Sequence, residues 1–225
     1  DNCLSTIKHE TIYYPNKIKQ IIGRLNTQNL PEKDEREAVE TITELIEYYK
    51  GIFTILSSCA ARQLEEVTFR RNTIPVQELF DAAGKYFRKV MKNRTEKVEL
   101  IIEPMEAKVI GDVNQLRFLF ENLIDEALAV REEGVIRLQA RKDNEYIRFL
   151  FTDTRREKSV TELNQLFYPN LARMTSGEKG ELRGTEYLIC KQIIRDHDEF
   201  AGRRGCRINA EPAEGGGFTV YFTIP

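Results

Sequence analysis

Leu4, Ile7, Thr11, Tyr14, Ile18, Ile21 and Leu25 follow an unbroken 3-4 spacing. That is the a/d seam of a heptad pattern held over three repeats, and it constrains this chain more than any other feature. The run Asn26-Thr27-Gln28-Asn29-Leu30-Pro31 interrupts it with turn residues and a helix-compatible proline. The seam resumes as Val39, Ile42, Ile46, Tyr49, Phe53, Leu56 and Ala60. Two amphipathic helices joined by a short turn make an antiparallel hairpin. One hairpin buries only half of such a seam, so the pattern predicts a homodimer that pairs two hairpins into a four-helix bundle.

Past Leu64 the heptads stop, which places a boundary between a hairpin over 1–65 and a second domain over 66–225. Glu66 to Phe69 reads as a short strand, and Pro75-Val76 opens a helix through Met91. Val98 to Ile102 is a mostly apolar strand. Asp112 is an N-cap for an apolar helix running through Leu116, Leu119, Phe120, Leu123, Ile124 and Ala127. Val135–Arg141 and Tyr146–Phe151 alternate as an antiparallel pair around a four-residue loop, Lys142 to Glu145. Thr154 to Leu182 is a long polar stretch with little periodicity, read as a functional or mobile loop. Thr185–Arg195 is another helix, and Cys206–Glu211 and Phe218–Ile224 close on the turn Gly215-Gly216-Gly217. The predicted class is α+β: a helical hairpin followed by a sandwich of mixed sheet with helices on one face.

Composition removes several functions. The 34 Lys and Arg against 36 Asp and Glu give a net charge of −2, with no positive field for nucleic acid. The Arg203-Arg204 pair is too small a patch and reads as an exposed turn. No apolar run approaches the roughly 18 residues that span a bilayer, and no signal peptide is present. A start at Asp1 with helical patterning under way suggests a piece of a longer protein. Cys3, Cys59, Cys190 and Cys206 lie far apart, without zinc or disulfide spacing, and read as reduced thiols of a cytosolic protein.

With Leu4 at position a, His9 falls at f, on the outer face of the bundle. Two readings are open there: a solvated surface histidine, or a nucleophile that a partner reaches, since neutral imidazole carries a phosphoryl group.

The order of motifs resembles the cytoplasmic core of sensor histidine kinases over nearly the whole chain. Ile7-Lys8-His9-Glu10, with Pro15 downstream, is similar to the histidine box of a dimerisation and phosphoacceptor hairpin. Asp112 to Leu116 followed by Glu121 to Ala127 looks like the asparagine box of a Bergerat-like (GHKL-type) ATP-binding domain. Phe151 to Thr154 occupies the place of the first glycine box, and Leu166 to Pro169 that of the lid's phenylalanine motif. Gly184 to Gln192 matches the second glycine box with its helix, and Gly217 to Pro225 the last strand.

The resemblance implies that His9 receives the γ-phosphoryl of ATP and passes it to an aspartate of a response regulator receiver domain. Glu10 would orient or deprotonate the imidazole, although neighbours on a helix do not face each other. Asn122, Asp153 and Gly184 would hold the nucleotide, Asp153 by accepting from the adenine amino group, and Asn122 and Glu126 the magnesium. His197, in Asp196-His197-Asp198, is read as structural. By the same analogy a sensing region and a membrane anchor precede Asp1, which places this piece in the cytoplasm.

Several positions depart from the pattern. Glu126 stands where a second asparagine is usual, and Ala129 where a Lys or Arg is. Arg155 and Glu157 replace the two glycines after Asp153, and glycine is used where a side chain would block a ligand, so these residues are expected to close the adenine pocket. Leu182 and Glu186 replace glycines around Gly184, and Tyr13 stands where phosphatase-competent members carry Thr or Asn. Arg155, Arg156, Arg173 and Lys179 make the lid partly basic and read individually as a solvated polar loop. Three readings follow: a divergent kinase using Mg·ATP; a phosphotransfer or docking module that has lost ATP and works through the bundle; or a pure dimerisation element.

Overall fold

The computed structural model describes residues 2–63, 69–168 and 185–225. They form two compact units, a helical hairpin and a sheet domain.

In the hairpin, α1 (Asn2–Thr27) runs through Pro15 and α2 spans Glu32–Gln63. The Pro31 carbonyl accepts the N–H groups of Asp34 and Glu35, and Glu32, Asp34 and Glu35 place negative charge at the positive end of the α2 dipole. Leu45 and Tyr48 are buried, and Ile18, Ile21, Leu25, Ile42 and Tyr49 are half-buried. Val39, Ile46 and Phe53 face outward at 55%, 40% and 58% exposure, with Ile22 on α1 also exposed. The seam read from the sequence therefore splits. Leu45 and Tyr48, each one position before a predicted seam residue, close the hairpin, whereas Val39, Ile46 and Phe53 form an outward stripe with a seven-residue repeat.

The sheet domain runs β1 (Asn72–Pro75), α3 (Val76–Met91), β2 (Val98–Ile102), β3 (Lys108–Gly111), α4 (Val113–Leu128), β4 (Gly134–Asp143), β5 (Tyr146–Asp153), α5 (Val160–Gln165), α6 (Thr185–Phe200), β6 (Ile208–Pro212) and β7 (Phe218–Ile224). The main sheet has the order β2-β4-β5-β7-β6, parallel only between β2 and β4. Strands β1 and β3 form a separate antiparallel pair. This is the mixed sheet packed by helices that the sequence led us to expect. Its core is aromatic: Phe149 and Phe222 stack at 5.0 Å, and Phe120 from α4 and Phe80 from α3 meet Phe149 edge-on at 5.7 and 6.0 Å.

Some expectations need correction. The β4–β5 connection is a two-residue turn rather than a four-residue loop, because Asp143 pairs with Tyr146 and Asn144 takes the left-handed conformation (φ 55°). The polar stretch after Thr154 contains α5, started by a reciprocal capping box between Ser159 and Glu162. The strand expected over Glu66 to Phe69 lies largely outside the described residues, and the strand present nearby is β1. No helix among the described residues is long and apolar enough to cross a membrane.

Candidate functional site

Helix α4 and the end of β5 build the site in the sheet domain. The Asp112 carboxylate caps α4 by accepting from Asn114 and Gln115 at 3.0 and 3.2 Å, and its other oxygen accepts from the Arg70 N–H at 2.8 Å. Behind the cap sits His197, fully buried. Its Nε2 accepts the Asp112 N–H at 3.1 Å, which leaves Nδ1 to donate to the Ile193 carbonyl at 2.8 Å. Burial lowers the His197 pKa below its ordinary value. Both of these hydrogen bonds are with backbone, and the ring packs edge-on against Phe69 at 4.9 Å.

With α4 fixed, Asn122 and Glu126 follow one turn apart on a single face, and both are buried. The Asn122 side-chain amide donates to the Phe118 carbonyl at 2.7 Å, one turn back on its own helix. Glu126 Oε1 lies 3.8 Å from the Arg156 guanidinium.

Asp153 ends β5 with its side chain 1% exposed. Its Oδ1 accepts from the Arg155 backbone N–H at 3.1 Å and from Arg155 Nε at 2.8 Å. Its Oδ2 accepts from Arg155 Nη2 at 2.9 Å and from Arg156 Nε at 3.1 Å. A carboxylate offers about four lone-pair positions, so four hydrogen bonds saturate it. The Arg155 side chain is itself 1% exposed and donates onward to the carbonyls of Ala127 and Glu132 at 2.6 and 3.0 Å. It thereby places a positive charge at the C-terminal end of α4. The Arg156 guanidinium lies 5.6 Å from the centre of the Phe218 ring. Tyr187 from α6 is buried, packs edge-on against Phe167 at 5.7 Å, and has its phenol pKa pushed well up, first by burial and then by the Glu126 charge.

Glu126 and Asp153 thus meet in one buried region through Arg156, with the buried Asn122 one turn before Glu126 on α4. Arg155, expected with Glu157 to close the adenine pocket, lies inside it, and so does Arg156, read as part of a solvated loop, whereas Glu157 is exposed. Arg156 had no motif to announce it; two consecutive arginines, one residue removed from Asp153, were the available signal. Arg173, Lys179 and Gly184 lie outside the described residues. His9 and Glu10 are consecutive residues of α1, with side chains outside the described ones.

This donor set does not fit Mg·ATP. Asp153 has no lone pair left for a base, and a cation beside Glu126 would meet the Arg156 guanidinium. Among the described residues no group of three or more His, Cys, Asp or Glu side chains could hold a metal ion.

The family described as "Histidine kinase-, DNA gyrase B-, and HSP90-like ATPase" matches residues 111–225. No curated protein matches the chain by sequence. Among solved structures, the Acinetobacter baumannii histidine kinase AdeS is 12% identical with a TM-score of 0.62, each chain being 96% covered. The histidine kinase ThkA, solved in complex with the response regulator protein TrrA, is 17% identical with a TM-score of 0.67; it covers all of this chain, which spans 61% of its length. The mycobacterial sensor histidine kinase MprB is 16% identical with a TM-score of 0.50, covering 70% of this chain and 97% of its own. At these identities the likeness is one of fold.

Proposed function

This chain belongs to the histidine kinase-, DNA gyrase B-, and HSP90-like ATPase family, and from that premise we propose that it is a two-component signalling core that works through its helical hairpin without ATP of its own. In this reading residues 1–65 dimerise and present His9 to the receiver domain of a response regulator. Residues 66–225 are a histidine kinase-like domain retained for its fold. We place the molecule in the cytoplasm as part of a larger receptor.

The observation that carries this reading is the saturated Asp153 carboxylate. ATP-dependent phosphorylation of His9, the alternative, needs that carboxylate to accept from the base. The outward stripe Val39, Ile46 and Phe53 supports dimerisation, because an exposed apolar seam at heptad spacing is what a second hairpin covers.

The chemistry asked of His9 is simple. An unprotonated ring nitrogen attacks the phosphorus of a regulator's phospho-aspartate, the P–O bond breaks as the P–N bond forms and the carboxylate leaves with its electron pair, and the proton on the other ring nitrogen passes to solvent. The reverse step returns the phosphoryl group. Incubation with ³²P-labelled receiver domains is expected to leave acid-labile label on the chain that His9→Gln removes. Label arriving from [γ-³²P]ATP alone would overturn the reading.

A further inference from the structure

We infer that Arg155 is a resident ligand for Asp153: its guanidinium fills the place of a base, and it is the residue that excludes adenine nucleotides from this domain. The inference deepens the proposed function and rests on it in one respect, that the native chain takes no ATP.

A pocket that had merely decayed would be left open or filled by whatever side chains collapsed into it. Here the filling has the chemistry of recognition. The guanidinium is planar, and one edge of it, Nε and Nη2, donates in parallel to the two Asp153 oxygens at 2.8 and 2.9 Å. The rest of the plane is also engaged, Nη1 by the Glu132 carbonyl and Nη2 a second time by that of Ala127. These bonds draw on four of the five N–H donors of the side chain. Backbone carbonyls from α4 and from the loop before β4, and the carboxylate at the end of β5, thus converge on one group, as a protein does on a bound heterocycle. Arg156 adds the fourth bond to the carboxylate and covers it from the Phe218 side.

The charge balance agrees. Asp153 and Arg155 are both almost wholly buried, and a buried anion needs a buried cation or a set of donors. Arg155 supplies both, so the folded domain needs no nucleotide to satisfy Asp153. Removing the guanidinium leaves the carboxylate with vacant lone pairs beside a planar cavity.

The test is calorimetric titration of the full chain with ADP, in the native form, in Arg155→Gly and in Arg155→Gly/Asp153→Asn. The native chain is expected to show no binding up to several millimolar, Arg155→Gly to bind at least about tenfold more tightly than that limit, and the double variant to lose the gain. A folded Arg155→Gly that binds no better than the native chain overturns the inference and leaves the ATP-independent reading standing; native binding of ADP overturns both. Should Arg155→Gly lose its fold, a methylguanidinium titration decides. Saturable recovery of a cooperative melt supports the resident ligand, and no recovery overturns it.

Discussion

Gly134 and Arg155 share one volume: a Cβ on Gly134 would lie 2.8 Å from Arg155 Cγ. The backbone there has φ 138°, a conformation that L side chains rarely adopt. Gly134 opens β4 beside the end of β5, so the burial of Arg155 depends on a missing side chain on the neighbouring strand. Gly134→Ala should therefore destabilise the sheet domain by about 2–3 kcal/mol, through strain and clash together. Urea unfolding measures this, and a change under about 0.5 kcal/mol would show that Arg155 yields at little cost.

The outward stripe on α2 gives a second expectation. Ile46→Asp/Phe53→Asp removes two of the three heptad-spaced apolar side chains while leaving Leu45 and Tyr48, which close the hairpin, in place. Light scattering should move from dimeric to monomeric mass at micromolar concentration with helicity kept. A native chain that is already monomeric refutes the dimer.

His197 makes stability depend on pH in a defined direction. Burial holds its folded pKa below the ordinary 6.5, so on acidification the unfolded chain takes the proton first. Stability is full above about 6.5, falls as pH drops through that value, and levels once the folded group also titrates. Urea midpoints at pH 7.5 and 5.5 should show the loss, and His197→Gln should remove its share. An identical pH slope in the variant would mean that other groups carry it. Gly111 belongs to the same arrangement, since a Cβ there would lie 2.7 Å from His197 Nε2.

Much of the fold was legible because its signals are local. Val98–Ile102 and Phe218–Ile224 are short apolar runs between breakers, and Asp112 precedes a long apolar helix; all three emerge as read. Strands β1 and β3 were not legible, since each is four residues long and they pair across as many as 39 positions, Asn72 with Gly111. The capping box of α5 was present as Ser159 and Glu162, but no apolar period followed to draw attention to it. The hairpin seam was ambiguous because Leu45-Ile46 and Tyr48-Tyr49 are adjacent apolar pairs, and spacing cannot say which member turns inward.

At the site, that Arg155 replaces a glycine and would fill the pocket was plain, but not which groups its guanidinium would bond. Burying an arginine takes acceptors, and two of these are carbonyls on Ala127 and Glu132, 28 and 23 residues away. Only the closed sheet brings them together.

The strand order carries a last consequence, for the chain as it is being made. Strand β5 pairs with β4 across a two-residue turn, but its other edge waits for β7, whose register sets Asp153 against Phe218 and Ile147 against Ile224. Until the ribosome has released the last of those residues, the central strand exposes an unpaired edge and the apolar faces of Phe149 and Phe151, an invitation to pair with another nascent copy. Truncations that end before Phe218 should therefore collect as insoluble aggregates rather than as a smaller folded domain.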